Sequence, residues 1–415
     1  MKRKKLFFGF VIALTAISVT FSACKKDDPK DPTLEALVAG TIDLNAATSA
    51  SGVPVDPTIV ATFNVEIDPS SATSANITLT QDYDNTDIPL TITVSGKTIT
   101  IVPVDDLGTG ALYELKFKSG LKSVDNLTLT EITRTFTTIG AFAPSGAIAH
   151  WTFENNANDV AGSFNPAANG IVDITYVDSR NTAAGKAASF NGTTSIIEIP
   201  DGDQLINTNN FTISFWVRAE PQDKGHFVIG LGAFWGLQFE IFGGLDGAKF
   251  AVRYELADGT TIGEDMWFPS NADYADNGGW QGWDFAKAIT PENYVAMVSN
   301  KWLHVTFTYN AATKAGILYY NGEKMKSQNF NLWPADAPHR NVVGLKYAGT
   351  MPDVNNDLAF GFIQSRAGSM WANESWGGYD FPGANHFKGQ LDDIRIYHKV
   401  LSPTEILLMY DSEKP

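Results

Sequence analysis

The sequence predicts an all-β protein built as two sandwiches in tandem, on three observations. Short runs alternate polar and apolar residues, as in Thr58-Ile-Val-Ala-Thr-Phe63, and a period of two marks a strand with one buried face. Glycine and proline are plentiful, 36 and 19 among 415 residues, and aromatics reach 12%, which suits many turns around sheet cores. Helical character is confined to Ser402–Met409, where Ser402 stands as a cap three residues before Glu405.

The N-terminus concerns destination. Lys2, Arg3, Lys4 and Lys5 precede an apolar run from Leu6 to about Phe21. That run is too short to span a bilayer comfortably and ends on small residues, so 1–23 is expected to be an export signal. Ser22-Ala23-Cys24 resembles the lipobox of bacterial lipoproteins, in which the cysteine is lipidated and becomes the first residue. Cys24 is the sole cysteine, so no intramolecular disulfide can form. One lipid anchor would hold the chain to a membrane without a spanning segment.

Residues 24–33 follow as a flexible tether, because Lys25-Lys-Asp-Asp-Pro-Lys-Asp-Pro32 cannot bury apolar area. The run also resembles the acidic export signal of surface lipoproteins in Gram-negative glycan-foraging bacteria. That resemblance implies an outer-membrane protein exposed at the cell surface. The chain has 30 basic and 46 acidic side chains, a net charge of −16, and loss of the four n-region cations takes it to −20. Such a surface repels phosphate backbones, so nucleic acid is excluded as a partner.

The first sandwich is expected over 34–140. Thr91-Ile-Thr-Val94 and Thr98-Ile-Thr-Ile-Val102 flank Ser95-Gly96-Lys97 as a hairpin. With Leu112–Phe117 and Thr133–Phe136 these make about seven short strands, the number of an immunoglobulin-like sandwich. The segment resembles bacterial Ig-like modules through Pro54-Val-Asp-Pro-Thr-Ile59, Ile67-Asp68-Pro69, Ile99-Thr-Ile-Val-Pro103 and Phe136-Thr-Thr138. The resemblance implies a spacer, and no polar cluster here suggests a site.

Ala141-Phe-Ala-Pro-Ser-Gly146 reads as a linker, and the second domain is expected over 147–412. Its strands include Ile148–Phe153, Ala187–Phe190, Ile196–Ile199, Phe211–Val217 and Leu303–Tyr309. Ala315–Tyr320 runs into Asn321-Gly322, a turn pair that tolerates positive φ. The domain resembles the laminin-G-like or concanavalin A-like jelly roll. The resemblance rests on Trp151-Thr-Phe-Glu154 with Asp159 and Gly162, Gly185-Lys-Ala-Ala-Ser-Phe-Asn-Gly192, Lys301-Trp-Leu-His-Val305, and Phe387-Lys-Gly-Gln-Leu-Asp-Asp-Ile-Arg-Ile-Tyr397.

That resemblance implies a calcium ion near the first and last strands. Glu154, Asp159 and Asp392 hold the matching positions, Asn191 or Gly192 could add a carbonyl, and Asp393 is the substitute if Asp392 faces outward. Among the aromatics, Trp151, Trp216 and Trp302 are expected in the core. Trp267, Trp280, Trp283, Trp371, Trp376 and Tyr379 fall instead in Gly/Asn/Asp-rich stretches, 266–285 and 369–387, read as loops. An indole stacks on the apolar face of a sugar ring while polar side chains take its hydroxyls. Arg366, Asp273, Asp276, Asn277, Gln281, Asp284, Asn373 and Glu374 supply such groups nearby.

Catalysis finds less support. No Glu-x-Asp-x-x-Glu run, His-Glu-x-x-His pair or Gly-x-Ser-x-Gly elbow occurs, and Glu240, Glu255, Glu264 and Glu374 remain unranked as acids. The expectation is a polysaccharide- or glycan-binding surface lipoprotein. A protein-binding adhesion module and a divergent glycoside hydrolase are the alternatives. Oligomeric state is left open.

Overall fold

The computed structural model describes residues 28–269, 279–281 and 284–415. The Ig-like part is a sandwich of two five-stranded sheets rather than about seven strands in all. One sheet runs, in spatial order, Ile42–Asp43, Leu34–Ala39, Ile59–Phe63, Thr98–Pro103, Leu90–Ser95. The other runs Ala50–Val53, Ile132–Thr138, Leu112–Phe117, Ile77–Gln81, Thr86–Ile88. Alternation decides which residues face inward: Ile59, Ala61 and Phe63 are fully buried, with Val60 and Thr62 between them partly exposed. The expected hairpin forms with Ser95 opposite Thr98, and Gly96 takes φ 58° in its two-residue turn.

The second domain packs two larger sheets face to face. The back sheet runs Thr175–Asp178, Lys186–Asn191, Lys388–Tyr397, Asn210–Ala219, Trp302–Asn310, Ala315–Tyr320, Glu323–Asn329, Asp284–Ala286, Gly279–Gln281. The front sheet runs Ile171–Val172, Ile196–Ile199, Leu358–Phe360, His226–Leu231, Leu237–Ile241, Ala248–Leu256, Thr261–Phe268. Between them lie Phe215, Phe239, Phe250, Phe307 and Phe360, all buried, with Phe250 stacked on Phe307 at 4.4 Å. Asn321 and Gly322 sit at φ 50° and 77°, the positive values the turn requires.

Two helices matter. Pro403–Glu413 begins on Ser402 with the full capping box to Glu405 and runs one turn past the expected end. Pro291–Val298 was not expected as a helix. Thr290 caps it by accepting from the Asn293 N–H, and Pro291 occupies the first turn, signals that are local and readable. No described helix is long and apolar enough to cross a membrane.

The C-terminal helix joins the two domains. Ile406 and Met409 are buried in the same apolar cluster as Leu79 and Tyr113 of the Ig-like part and Phe142 of the linker. Trp216 therefore sits outside the sandwich interior. Its position on the Asn210–Ala219 strand alternates with Phe215 and Val217, so it faces the helix, and its Nε1 donates to Glu413 Oε2 at 2.8 Å. Trp151 is in the core as expected, whereas Trp302 is only half-buried.

Candidate functional site

The outward face of the front sheet is built by register. Glu240 lies opposite Lys249, and Lys249 opposite Trp267; in the next row Gln238 lies opposite Ala251, and Ala251 opposite Asp265. Directly paired antiparallel residues share a face, and the intervening Phe239, Phe250 and Met266 point into the core. One outward surface thus carries two carboxylates, an ammonium, an amide and an indole. Ala251 at its centre contributes no bulk.

Loops wall this surface on one side. A cavity of about 270 Å³ is lined by Gln238, Glu240 and Lys249 below and by Phe234, Trp371 and Trp376 above, with Phe227, Ile363 and Asn385 closing it. The Trp371 and Trp376 rings stand 5.0 Å apart at 49°, and Phe234 lies 6.0 Å from Trp371. Trp376 is 40% exposed and Trp267 44%. Trp267 flanks the cavity through Lys249, whose Nζ lies 5.4 Å from the indole centre. Water therefore reaches large apolar rings that the interior had no need of.

Lys249 Nζ is 3.4 Å from Glu240 and 3.8 Å from Asp265. Burial pushes the Glu240 carboxyl above its usual range, Asp265 adding to this while Lys249 and Gln238 oppose it. Gln238 Nε2 donates to Glu240 Oε2 at 2.6 Å.

The loop carrying the indoles is latched rather than loose. The Arg366 guanidinium donates to Glu198 Oε2 at 2.6 and 3.1 Å and to the Asn169 carbonyl at 2.7 Å, while the Arg366 N–H reaches Glu198 Oε1 at 2.7 Å. Tyr379 donates its hydroxyl to the Thr194 carbonyl, and its own carbonyl lies 2.8 Å from His386 Nε2. Asn385 N–H closes the loop on the Trp376 carbonyl at 2.9 Å. Trp371 is held at φ 60°, a region that costs a bulky residue about 1–3 kcal/mol and persists only where the surrounding structure imposes it.

Residues 41–138 match the bacterial Ig-like domain, and residues 191–355 match the concanavalin A-like lectin/glucanases superfamily. The chain carries a bacterial Ig-like domain followed by a concanavalin A-like domain. The loop that brings Trp371 and Trp376 to the cavity lies beyond the matched part of the concanavalin A-like domain. Among solved structures, the binding domain of Paraclostridial Mosquitocidal Protein 1 is similar at 19% identity and TM-score 0.40, covering 64% of this chain and 52% of that one. The botulinum neurotoxin type G receptor binding domain is similar at 16% and 0.38, covering 64% and 51%. The botulinum neurotoxin serotype D ligand binding domain, in complex with N-acetylneuraminic acid, is similar at 15% and 0.38, covering 65% and 51%. The chain spans about half the length of each, and likeness at that level carries no functional argument. No curated protein matches the sequence.

Of the residues singled out in the concanavalin A-like domain, the fold brings Trp371 and Trp376 together and sets Trp267 beside them. Trp267 is on a strand, Thr261–Phe268, not in a loop. Trp280 belongs to the Gly279–Gln281 strand at the edge of the back sheet. Trp283 lies outside the described residues, as do Asp273, Asp276, Asn277 and Cys24. Arg366 and Tyr379 are committed to holding the loop rather than facing the cavity. Glu255 pairs with Lys346 at 2.6 Å and Glu264 with His339 at 3.1 Å, so of the four glutamates only Glu240 lines the cavity.

Gln238, Lys249, Asp265 and Phe234 were missed. The run Leu237-Gln-Phe-Glu-Ile241 alternates strictly, and that alternation was the available signal for Gln238 and Glu240.

The expected calcium ligands do not form a cage. Asp159 Oδ1 accepts the backbone N–H groups of His150, Ala161 and Gly162 at 2.8–3.0 Å, and Oδ2 that of Phe164 at 3.0 Å, so it organises its own loop. Glu154 Oε1 accepts the Lys186 N–H at 3.0 Å. Asp392 meets Arg180 Nη1 at 2.5 Å, and Arg180 Nη2 also pairs with Asp393. A guanidinium already supplies the positive charge there. Among the described residues no three acidic, His or Cys side chains gather as a metal-holding group, and these three carboxylates do not fit calcium as a set.

Proposed function

We propose that the concanavalin A-like domain binds polysaccharide or glycan in the cavity under Trp371 and Trp376. The Ig-like domain would act as a spacer, and a lipid on Cys24 would anchor the chain at the outer surface of the outer membrane. The observation that carries the binding proposal is the pair of indoles, 5.0 Å apart on a latched loop, standing over a polar floor of Gln238, Glu240 and Lys249. Apolar walls with a few convergent polar groups are the ordinary make-up of a ligand site. Indoles suit the C–H face of a sugar, and the floor suits its hydroxyls.

A larger cavity, about 610 Å³, lies elsewhere, between the two domains beside Arg180, Arg395, Asp393 and Glu413. Those groups are paired with one another, and no indole lines that space. The smaller cavity is therefore the better candidate. Lipid attachment and surface exposure rest on the sequence signals alone.

Electrophoresis of the full-length protein through gels containing polysaccharide tests the binding. The native chain is expected to be retarded by at least one polysaccharide. Trp376→Ala and Trp371→Ala are each expected to weaken retention about tenfold or more, the loss typical of a central aromatic anchor. Retention unchanged in both variants would remove the groove from consideration. Release of reducing ends from a retained polysaccharide, lost in Glu240→Gln, would instead make the site hydrolytic.

A further inference from the structure

We propose that Gln238 is a specificity-determining residue and that the cavity takes an uncharged, hydroxyl-bearing sugar unit while rejecting uronic and sulfated ones. The inference rests on the glycan-binding reading and deepens it.

Gln238 is 2% exposed yet lines the cavity. Its amide orientation is dictated by its neighbour, because Nε2 must face the Glu240 carboxylate to which it donates at 2.6 Å. Its Oε1 is thereby left as a buried acceptor with no partner. A buried acceptor without a donor forfeits its solvation with nothing in return, and a ligand O–H placed on it recovers that loss. A carboxylate or sulfate placed at that point offers only acceptors and leaves Oε1 bare, whereas a hydroxyl there supplies the missing donor.

The remaining floor agrees. Glu240 and Asp265 share one ammonium, Lys249, at 3.4 and 3.8 Å. Among the described residues lining the cavity Lys249 is the one cation and it is already engaged, so an anionic ligand would stand beside the Glu240 carboxylate in a recess where repulsion is poorly screened. At longer range the chain as a whole, at −16, repels a polyanion. The size of the space points the same way. At about 270 Å³ it falls just short of the roughly 300–1,000 Å³ of drug-sized sites, so it suits one ring of a polymer and has little room for a hydrated anionic substituent.

Gel retardation of the full-length protein is compared across neutral polysaccharides (dextran, xylan, galactomannan), polygalacturonate and dextran sulfate. Retention by at least one neutral polymer is expected, with no retention by either polyanion. Gln238→Leu, close in volume and without the acceptor, is expected to weaken neutral retention about three- to tenfold while leaving the thermal midpoint as high as or higher than that of the native chain. Equal or stronger retention by a polyanion overturns the specificity and leaves glycan binding standing. Retention by no polymer overturns both. Unchanged neutral retention in Gln238→Leu, with its fold confirmed by circular dichroism, overturns the role of Gln238.

Discussion

Three buried histidines show how single residues tie this fold to pH. Burial lowers His226 and His386 to about 4 and His304 to about 3. Each is neutral in the fold and takes up a proton more readily once unfolded, near the ordinary value of about 6.5. A depressed base contributes stability that is present above about pH 6.5 and is lost as pH falls toward 4. The thermal midpoint is therefore expected to drop steeply between pH 6.5 and 4. His304→Gln, whose amide can meet Ser214 Oγ where the imidazole now does at 2.8 Å, is expected to shallow that slope; a slope unchanged in this variant would remove His304 from the account. At the same scale, Arg366 and Tyr379 show a limit of reading residues alone. Both have the chemistry to grip a hydroxyl, and both are already occupied by protein partners.

Elements whose signals are local were legible. Ser402 and Glu405 predicted the last helix, and the capping box is present. Loss of such a cap typically costs about 1 kcal/mol, so Ser402→Ala is expected to lower unfolding free energy by about that amount in urea titration. The Asn321-Gly322 turn and the Gly96 hairpin followed from φ requirements that only neighbouring residues set. The Pro291–Val298 helix was equally local, since Thr290, Pro291 and Glu292 are its start signals, but the segment is short and follows a Gly/Asn/Asp-rich stretch. Trp267 was misread for a related reason. A glycine-rich neighbourhood suggested a loop, whereas eight register pairs with Ala248–Leu256 hold its segment as a strand. Pairing with a distant strand overrides local composition.

At the scale of the whole molecule, the C-terminal helix makes one unit of two sandwiches. Ile406 and Met409 are buried in one apolar cluster that holds Leu79 and Tyr113 of the Ig-like part together with Tyr319 and Tyr397 of the larger sheet. Glu413 accepts from Trp216 and pairs with Arg395 at 2.8 Å on the back of that sheet. Met409→Asp buries an unpaired carboxylate at that junction, which is strongly unfavourable. Calorimetry is expected to resolve two transitions in this variant against a single one in the native chain; a single transition in both would mean the domains are not coupled there. Glycan retention is expected to survive the substitution, because the cavity lies on the opposite sheet and shares none of these residues.

Sequence alone determined what depends on near neighbours: the all-β class, the inward and outward positions of alternating strands such as Ile59–Phe63, the Ser402 cap and the Gly96 and Asn321-Gly322 turns. Tertiary structure decided which outward residues share a surface. Arg366 finds Glu198 across 168 residues of chain, and Glu240, Lys249 and Trp267 become one row only through strand register. Those pairings are selected by burial of the opposite faces, an energy that belongs to the assembled sheets and is encoded in no single segment.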